Sequence, residues 1–217
     1  MALARQILKS TLQAMVPRSH LMVRGPQRQN TAFLTFDDGP HPVNTPPLLE
    51  ALEKAGVRAT FFLIGQNVER HPDLVRQLYA AGHVLGHHTF RHLNPSSVSA
   101  TQLMREIEQT DRLFTQILGS PIRLFRPPWG KLSAAKFAAL WAGGKQIILW
   151  NKDPRDCDAS ESGVIATWFE RNPTAAGDIV LMHDDHPHAA SVLPGVIAEA
   201  RSRGIEFTTI GAGMGGK

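Results

Sequence analysis

The chain has 217 residues, of which 42% are hydrophobic and 19% charged, a composition typical of a folded globular domain rather than a disordered chain. A single cysteine, Cys157, excludes an intrachain disulfide, and no stretch approaches the roughly 20 apolar residues that a membrane-spanning helix needs. The first 36 residues hold basic but no acidic side chains, so the excess positive charge behind the formal net charge of +4 is concentrated at one end of the chain. No nucleic-acid partner is expected.

The N-terminal arm, residues 1–30, combines basic and apolar side chains. Apolar residues recur at helical spacing over residues 3–16, with Arg5 and Lys9 between them, which predicts a short amphipathic helix that Pro17 ends. Three roles are open for it: docking on the domain, peripheral contact with an anionic membrane, and targeting. The two cations interrupt the apolar core that a secretory signal requires, so a cytoplasmic or peripheral membrane location is favoured.

Short apolar runs alternate with amphipathic segments through a single domain at residues 31–210, which a tail at 211–217 follows. Such alternation predicts an α/β fold with a parallel sheet covered by helices. About seven strand–helix units favour closure into a barrel, in which active residues gather at the carboxyl ends of the strands. Strands are expected at 32–34, 59–64, 83–86, 122–125, 146–150, 178–182 and 205–208, and helices at 45–55, 68–81, 99–118, 133–142, 161–171 and 192–203.

Two adjacent carboxylates, Asp37 and Asp38, stand where the first predicted strand should end. Neighbouring residues on a regular strand point to opposite faces, so the pair can share one site only where the chain already bends, and Gly39 with Pro40 supplies that bend. One carboxylate could then hold a metal while the other moves a proton. A capped turn without chemical function is an equally good interpretation of these residues alone.

Further polar residues follow other predicted strands. His88 and His92 are four residues apart and would share one face of a helical turn, so with a carboxylate they could hold a metal; chance spacing among ten histidines is the alternative. Arg126 lies beside two prolines, which fix the backbone there. It belongs either to a functional site or to a rigid surface loop. His183 ends an apolar run and either points out of the core as a functional group or caps the strand.

Five stretches, in order along the chain, resemble the motifs of the polysaccharide deacetylase family, the NodB-homology group known as carbohydrate esterase family 4. The stretches are 35–40, 88–92, 126–130, 153–156 and 181–183. The resemblance covers about residues 31–210 and implies a distorted (β/α)7 barrel in a single domain. It also implies a metal-dependent hydrolase that removes N-acetyl groups from a sugar polymer, oligomer or glycolipid and releases acetate.

Four side chains acquire catalytic roles from this resemblance. It implies that Asp37 is the general base and that His183 is the general acid. Arg126 would orient Asp37, and Asp156 would tune His183. The chemistry agrees with these roles, since an amine leaves poorly as an anion and needs a protonated donor, which a nearby carboxylate favours.

The same resemblance implies a metal site and an acetyl pocket. Asp38, His88 and His92 would bind one divalent metal, with zinc expected first and Co²⁺, Ni²⁺ or Mn²⁺ as alternatives. Leu181 would line the acetyl pocket. The backbone N–H of Trp129 would help to hold the oxyanion.

Four positions depart from the family pattern or are unusual. Cys157 stands where a tryptophan is common, which puts the wall of the acetyl pocket in doubt, and Trp129 stands where tyrosine is frequent. His87 replaces a frequent asparagine, so the register of metal binding is open between neighbouring histidines. The His-rich loop 184–188 is expected to be a solvated rim rather than a second metal site.

Other functions fit the same scaffold. An O-acetyl esterase or a non-sugar amidase is one alternative, because the fold does not determine the substrate. A catalytically silent carbohydrate-binding module is another, but it would not need the base, the metal ligands and the acid together. An N-acetylated carbohydrate is therefore the expected partner, and the sequence leaves the oligomeric state open.

Overall fold

The structure, a computed structural model, describes residues 16–27 and 30–211. All but the last residue of the helix predicted at 3–16, and all but the first residue of the predicted tail, lie outside the described residues. Within the described part of the chain, no helix is both long and apolar enough to cross a membrane.

Among the described residues, eight strands form one sheet in which every pairing is parallel. They are β1 (Leu21–Met22), β2 (Thr31–Asp37), β3 (Thr60–Leu63), β4 (Val84–His87), β5 (Leu124–Phe125), β6 (Gln146–Ile148), β7 (Ile179–His183) and β8 (Glu206–Thr208). The order is β1-β6-β5-β4-β3-β2-β7, and β8 pairs with the first half of β2. The seven predicted strands are all present.

The sheet closes through the segment that follows β6. Lys152 forms a parallel bridge with Val180 of β7, and the N–H of Leu181 donates to the Lys152 carbonyl at 2.9 Å. The result is the predicted distorted (β/α)7 barrel. The short strand β1 is a finding that the sequence does not predict, because two residues are too few to show a period of two.

Seven α-helices cover the barrel in the described part of the chain. They are α1 (Thr45–Ala55), α2 (Gly65–Arg70), α3 (Pro72–Ala80), α4 (Ala100–Leu118), α5 (Ala134–Ala142), α6 (Ser162–Arg171) and α7 (His188–Ser202). Their ends follow from local chemistry. Gly56, at a φ of 63°, ends α1, and Ser99 with Gln102 forms a reciprocal capping box at the start of α4.

Two helix predictions need correction. The segment predicted as one helix at 68–81 is two helices, because Pro72 has no N–H and disfavours helical geometry at His71, whose φ and ψ are −130° and 54°. The last helix begins at His188, four residues before the predicted start at Val192, and it accommodates Pro194 in its interior.

Alternation along β2 and β7 separates the barrel interior from the helix layer. Leu34 and Phe36 pack in the large cluster beneath the helices, whereas Phe33 packs with Phe62 and Ile179 inside the barrel. Because strand side chains alternate, Asp37 lies on the same side as Phe33 and ends the interior column of β2. The barrel interior thus becomes polar at the carboxyl end of its strands.

Candidate active site

The predicted site residues lie near or just after the carboxyl ends of strands, at one end of the barrel. The register pairs Asp37, the last residue of β2, with His183, the last residue of β7. His88 directly follows β4, and Arg126 directly follows β5. These two strands also pair in parallel. A parallel sheet therefore gathers segments that are up to 146 residues apart in sequence, as between Asp37 and His183.

The turn after β2 lets two neighbouring carboxylates face one site. Asp38 has left the strand and adopts a φ of 76°, in the left-handed region. Asn67 donates from Nδ2 to the Asp38 carbonyl at 2.8 Å, and Ile64 donates its N–H to the Gly39 carbonyl at 2.9 Å. These bonds hold the turn in a conformation that costs energy for a non-glycine residue.

Asp38, His88 and His92 form a cluster whose ligand atoms all lie within 4.8 Å of one another. Oδ1 of Asp38 is 3.5 Å from Nε2 of His88 and 3.3 Å from Nε2 of His92. Tetrahedral bonds of about 2.0–2.1 Å to one zinc ion place ligand atoms about 3.3 Å apart, so these separations fit such an ion.

Two further observations indicate that the cluster is suited to a cation. Oδ1 of Asp38 is buried and has no hydrogen-bond partner. Burial and the neighbouring charge of Asp37 raise the pKa of Asp38 to about 7. A divalent cation would supply the missing partner and the missing positive charge, so the donor set fits a metal.

The tautomer of His88 is set by its second nitrogen. Nδ1 donates to the Arg126 carbonyl at 2.7 Å, which leaves the Nε2 lone pair directed to Asp38. Burial, followed by the charge of His92, lowers the pKa of His88 well below its ordinary value. His88 is therefore neutral, the form in which imidazole binds a metal.

His87 is excluded from the cluster. Its ring is fully buried, with Phe114 and Phe125 each at a centroid distance of 6.0 Å. Nε2 donates to the Ile107 carbonyl at 3.0 Å, and Nδ1 accepts the Thr89 N–H at 3.2 Å. The geometry therefore favours His88, the next residue along the chain, over His87 as the candidate metal ligand.

The segment 88–92 is a loop, which corrects the expectation of a helical turn. Thr89 and His92 have positive φ values of 65° and 54°, and the Thr89 Oγ1 accepts the His92 N–H at 3.0 Å. This strained loop, rather than helical spacing, brings the two imidazoles together, with ring centroids 4.9 Å apart.

Arg126 is fully buried and orients Asp37. Its Nη1 donates to Oδ1 of Asp37 at 2.7 Å and to Oγ1 of Thr35 at 2.8 Å, while its guanidinium lies over the Phe62 ring at 4.1 Å. The other Asp37 oxygen, Oδ2, lies 3.7 Å from Nε2 of His88. Burial raises the pKa of Asp37 although the Arg126 charge opposes it, so the carboxylate is a stronger base than an exposed aspartate.

His183 is paired with Asp156. One Asp156 oxygen accepts the His183 backbone N–H at 2.7 Å, and the other accepts Nδ1–H at 2.8 Å, so Nε2 is left for chemistry. Burial opposes protonation, but the Asp156 hydrogen bond and charge, with Asp37 and Asp38, outweigh it and raise the pKa of His183 to about 10. The imidazole is therefore protonated at neutral pH.

The residues expected around the acetyl pocket lie at the same end of the barrel. The Trp129 ring is half exposed and lies 4.5 Å from the His92 ring, centroid to centroid. Leu181 is buried opposite Thr35 in the β2–β7 register, two residues before His183. Cys157 is exposed in the short 3₁₀ helix Asp156–Asp158, so its side chain does not replace a buried aromatic wall.

The non-glycine residues with positive φ in the described part of the chain all lie in these loops. They are Asp38, Thr89, His92, Trp129 and Arg155. Each belongs to a segment that carries a candidate ligand or a catalytic side chain. Strained backbone that is held by its surroundings concentrates at functional sites, so this distribution independently indicates an active site here.

Sequence reasoning missed one residue of this region. Asp184 was expected in a solvated rim, but it is 1% exposed, which corrects that part of the prediction. Its Oδ2 accepts a hydrogen bond from Oγ1 of Thr45 at 2.7 Å. No sequence signal could reveal a contact between residues that are 139 positions apart. The following residues fit the rim better, since the His186 side chain is 39% exposed.

The fold and this geometry define a class of protein, the metal-assisted hydrolases built on barrels of parallel strands. A sequence model described as polysaccharide deacetylase matches residues 24–146, and the chain belongs to that family. It is thus a carbohydrate deacetylase, a hydrolase that removes N-acetyl groups from sugar polymers, as the motifs predict.

Individual relatives agree with this assignment. A peptidoglycan-N-acetylglucosamine deacetylase of Bacillus cereus is 35% identical over 199 residues, which cover 89% of this chain and 92% of the relative. A solved chitin deacetylase from the fungal pathogen Colletotrichum lindemuthianum superposes with a TM-score of 0.86 at 29% identity, covering 93% and 94% of the two chains. A solved peptidoglycan N-acetylglucosamine deacetylase gives 0.84 at 28% identity, with 88% and 91% covered.

Proposed function

We propose that this deacetylase hydrolyses the acetamido group of N-acetylglucosamine units in a glycan, with Asp37 as base and His183 as acid. The observation that carries the proposal is the convergence of an Asp-His-His cluster with an arginine-bound carboxylate and a carboxylate-bound histidine. The relatives named for peptidoglycan and chitin both act on polymers that contain this sugar, which supports the substrate class.

We propose zinc as the metal, held by Asp38, His88 and His92. Two imidazoles and one carboxylate form a donor set that zinc favours and that leaves a position open for substrate or water. A bound divalent ion acts as a Lewis acid toward a carbonyl oxygen and lowers the pKa of a water. The remaining roles in the reaction are assigned to side chains and backbone groups of this chain.

Proton transfer would begin at Asp37. Arg126 occupies Oδ1, so Oδ2 is the oxygen that takes the proton from the attacking water. The raised pKa of Asp37, which burial causes, makes the carboxylate a stronger base than an exposed aspartate. The backbone N–H of Trp129 would donate to the oxyanion that forms on the acetyl carbonyl.

Proton delivery would end the reaction at His183. Its Nε2–H donates to the departing amine, since Nδ1–H is engaged by Asp156. The pKa of about 10 keeps the imidazole charged until the amine needs its proton. Leu181, buried beside the acid, would contact the acetyl methyl group. Acetate and a free amino sugar are the products.

Acetate release tests the proposal. Purified protein is stripped of metal, reloaded with Zn²⁺, Co²⁺, Ni²⁺ or Mn²⁺, and incubated with chitin oligomers, peptidoglycan, acetylated xylan and lipid-linked sugars. We expect metal-dependent release from the N-acetylglucosamine glycans and little from acetylated xylan. Asp37→Asn, which keeps the shape of the side chain but not its basicity, should lower kcat by about 10²–10⁴-fold.

Two outcomes would contradict the proposal. Equal acetate release by Asp37→Asn and the wild type would remove the assigned base. Preferential release from acetylated xylan would favour an O-acetyl esterase. As a control, Asp158→Asn changes an exposed carboxylate that binds Arg155 outside the cluster, and it should leave the rate unchanged.

A further inference from the structure

Asp184 directly follows His183 but turns back onto the β2 turn. It is 1% exposed, and its carboxylate lies against the Cα of Gly39, so that a Cβ placed on Gly39 would overlap both carboxylate oxygens. The φ of Gly39 lies outside the left-handed region that excludes side chains. The Asp184 carboxylate is therefore what an alanine at this position would meet.

Two hydrogen bonds connect Asp184 to the end of β2 and to the segment after it, and a third holds that segment's Thr45 to His41. The Asp184 N–H donates to the Asp37 carbonyl at 3.2 Å. Thr45 donates from Oγ1 to Asp184 Oδ2 at 2.7 Å, and that same Oγ1 accepts the His41 N–H at 2.7 Å. The end of β7 is thus joined to both ends of the turn that carries the candidate base.

The turn is held from its other side by β3 and α2. Ile64 binds the Gly39 carbonyl and Asn67 binds the Asp38 carbonyl. Among these contacts, that of Asp184 reaches the turn from the β7 side, and that of Thr45 reaches it from the segment that follows the turn. Asp184 therefore adds a side-chain contact between this turn and the segment that directly follows His183.

Burial of this carboxyl group lowers the stability of the fold. Its Oδ1 is buried without a hydrogen-bond partner, and burial raises the pKa of Asp184 to about 8. A buried polar atom without a partner lowers stability. A residue that serves folding alone would not be expected to destabilise the fold in this way. Asp184 is therefore expected to contribute to the candidate active site.

We propose that Asp184 is a positioning residue, whose side chain packs on Gly39 and holds the Asp37–Asp38 turn in register with His183. The inference deepens the function proposed above and rests on it. It predicts that the packing of Asp184 on Gly39 affects both the rate and the affinity for metal, because Asp38 lies in the same turn.

A double-mutant cycle between Gly39 and Asp184 tests the contact. Asp184→Ala should lower kcat by about tenfold or more, with KM within about threefold of the wild type. Gly39→Ala should cause a similar loss, because its methyl group displaces the carboxylate. In the Asp184→Ala background the methyl has nothing to displace, so Gly39→Ala should add no further loss. Full multiplication of the two losses would contradict the contact.

Conservative and structural variants separate positioning from folding. Asp184→Asn keeps the acceptor for Thr45 and the shape, so it should retain kcat within about threefold of the wild type. The matched control is Asp178→Ala, a buried aspartate just before the start of β7 that binds Arg24 at 3.0 Å. We expect this control to lower the melting temperature without changing kcat of the folded enzyme. Asp184→Ala should instead lower kcat without lowering the melting temperature.

Zinc affinity supplies a readout that does not depend on turnover. Competition with a chelating indicator should show that Asp184→Ala weakens Zn²⁺ binding by about tenfold, while Asp178→Ala leaves it unchanged. Wild-type kcat and zinc affinity in folded Asp184→Ala would overturn the inference. If the wild type released no acetate from any glycan, the proposed function would fail, and the zinc comparison would still decide on Asp184.

Discussion

Asp37 and Asp38 are neighbours in sequence, but their surroundings assign them different chemistry. Asp37 keeps one oxygen on a buried guanidinium at 2.7 Å, whereas Asp38 presents a buried, unpartnered oxygen to two imidazole nitrogens. Burial raises the pKa of both carboxyls, but only Asp37 has a cationic side chain within hydrogen-bonding distance. The difference supports the proposed roles of Asp37 in proton transfer and of Asp38 in metal binding.

The His183–Asp156 pair leads to a prediction about pH. The Asp156 charge is one reason that the pKa of His183 rises to about 10, against the opposing effect of burial. Asp156→Asn removes that charge, so the folded-state pKa of His183 should fall. Because the acid acts when protonated, activity should then be lost at a lower pH as the pH rises. We expect the alkaline limb of the kcat profile to move down by more than about one unit.

The measurement is kcat between pH 5 and 10 at saturating zinc and substrate. Asp158→Asn is the matched control, because it lies in the same 3₁₀ helix and its side chain is exposed, at 58%. A uniform loss of rate in Asp156→Asn with an unmoved alkaline limb would show that Asp156 orients the imidazole without setting its protonation.

At the scale of elements, the strands determine which residues meet and the loops determine how they face. The pairing of Asp37 with His183 follows from register alone, and Leu181 lies opposite Thr35 by the same register. The ligand geometry instead depends on positive φ at Asp38, Thr89 and His92. Strand ends could be predicted from apolar runs, but residues in the left-handed region could not, because only tertiary contacts select that conformation.

Two buried histidines, one at each end of β4, allow an effect on stability to be distinguished from an effect on the candidate metal site. His83 precedes the strand and accepts the Ala59 N–H at Nδ1, at 3.1 Å, whereas His87 ends it and accepts the Thr89 N–H. His83→Leu and His87→Leu should each lower the free energy of unfolding by about 1–3 kcal/mol, because each leaves a buried backbone N–H without a partner. Only His87→Leu should weaken zinc binding, by about tenfold, since only it releases the ligand loop.

Urea unfolding of the metal-free proteins and indicator competition for zinc provide the two measurements. His83→Leu is the control for the effect of burial as such, because the two histidines are 5% and 0% exposed. Equal loss of zinc affinity in both variants would mean that general destabilisation, rather than the Thr89 contact, controls the ligand loop.

At the scale of the whole molecule, the sequence predicted the barrel because its seven main strands are local apolar runs. The parts it missed depend on distant partners. β1 exists because Leu21 pairs with Ile147, and Asp184 is buried because Thr45 and Gly39 receive it. The break at Pro72 was legible from the chain, since proline disfavours a helical residue before it. Motif order, by contrast, predicted which side chains gather at one end of the barrel, because each motif lies at or just after the carboxyl end of a strand of one sheet.

Acid stability of the whole barrel provides the last prediction. Burial, with the positive charge of Arg58 acting in the same direction, lowers the pKa of His83 to about 4. The folded pKa therefore lies below the unfolded value of about 6.5, and the unfolded chain binds the extra proton between these values. The contribution of His83 to stability is complete above pH 6.5 and is lost as the pH falls toward 4.

The loss attributable to His83 is about 3 kcal/mol by pH 4, at roughly 1.4 kcal/mol for each unit of pKa difference. Urea unfolding of the metal-free protein at pH 7.5 and at pH 4.5 should show a smaller decrease for His83→Leu than for the wild type. His83→Leu lowers stability at pH 7.5 because the Ala59 N–H loses its acceptor, so the two proteins should converge in acid. Parallel decreases would show that the folded barrel does not lower the pKa of His83.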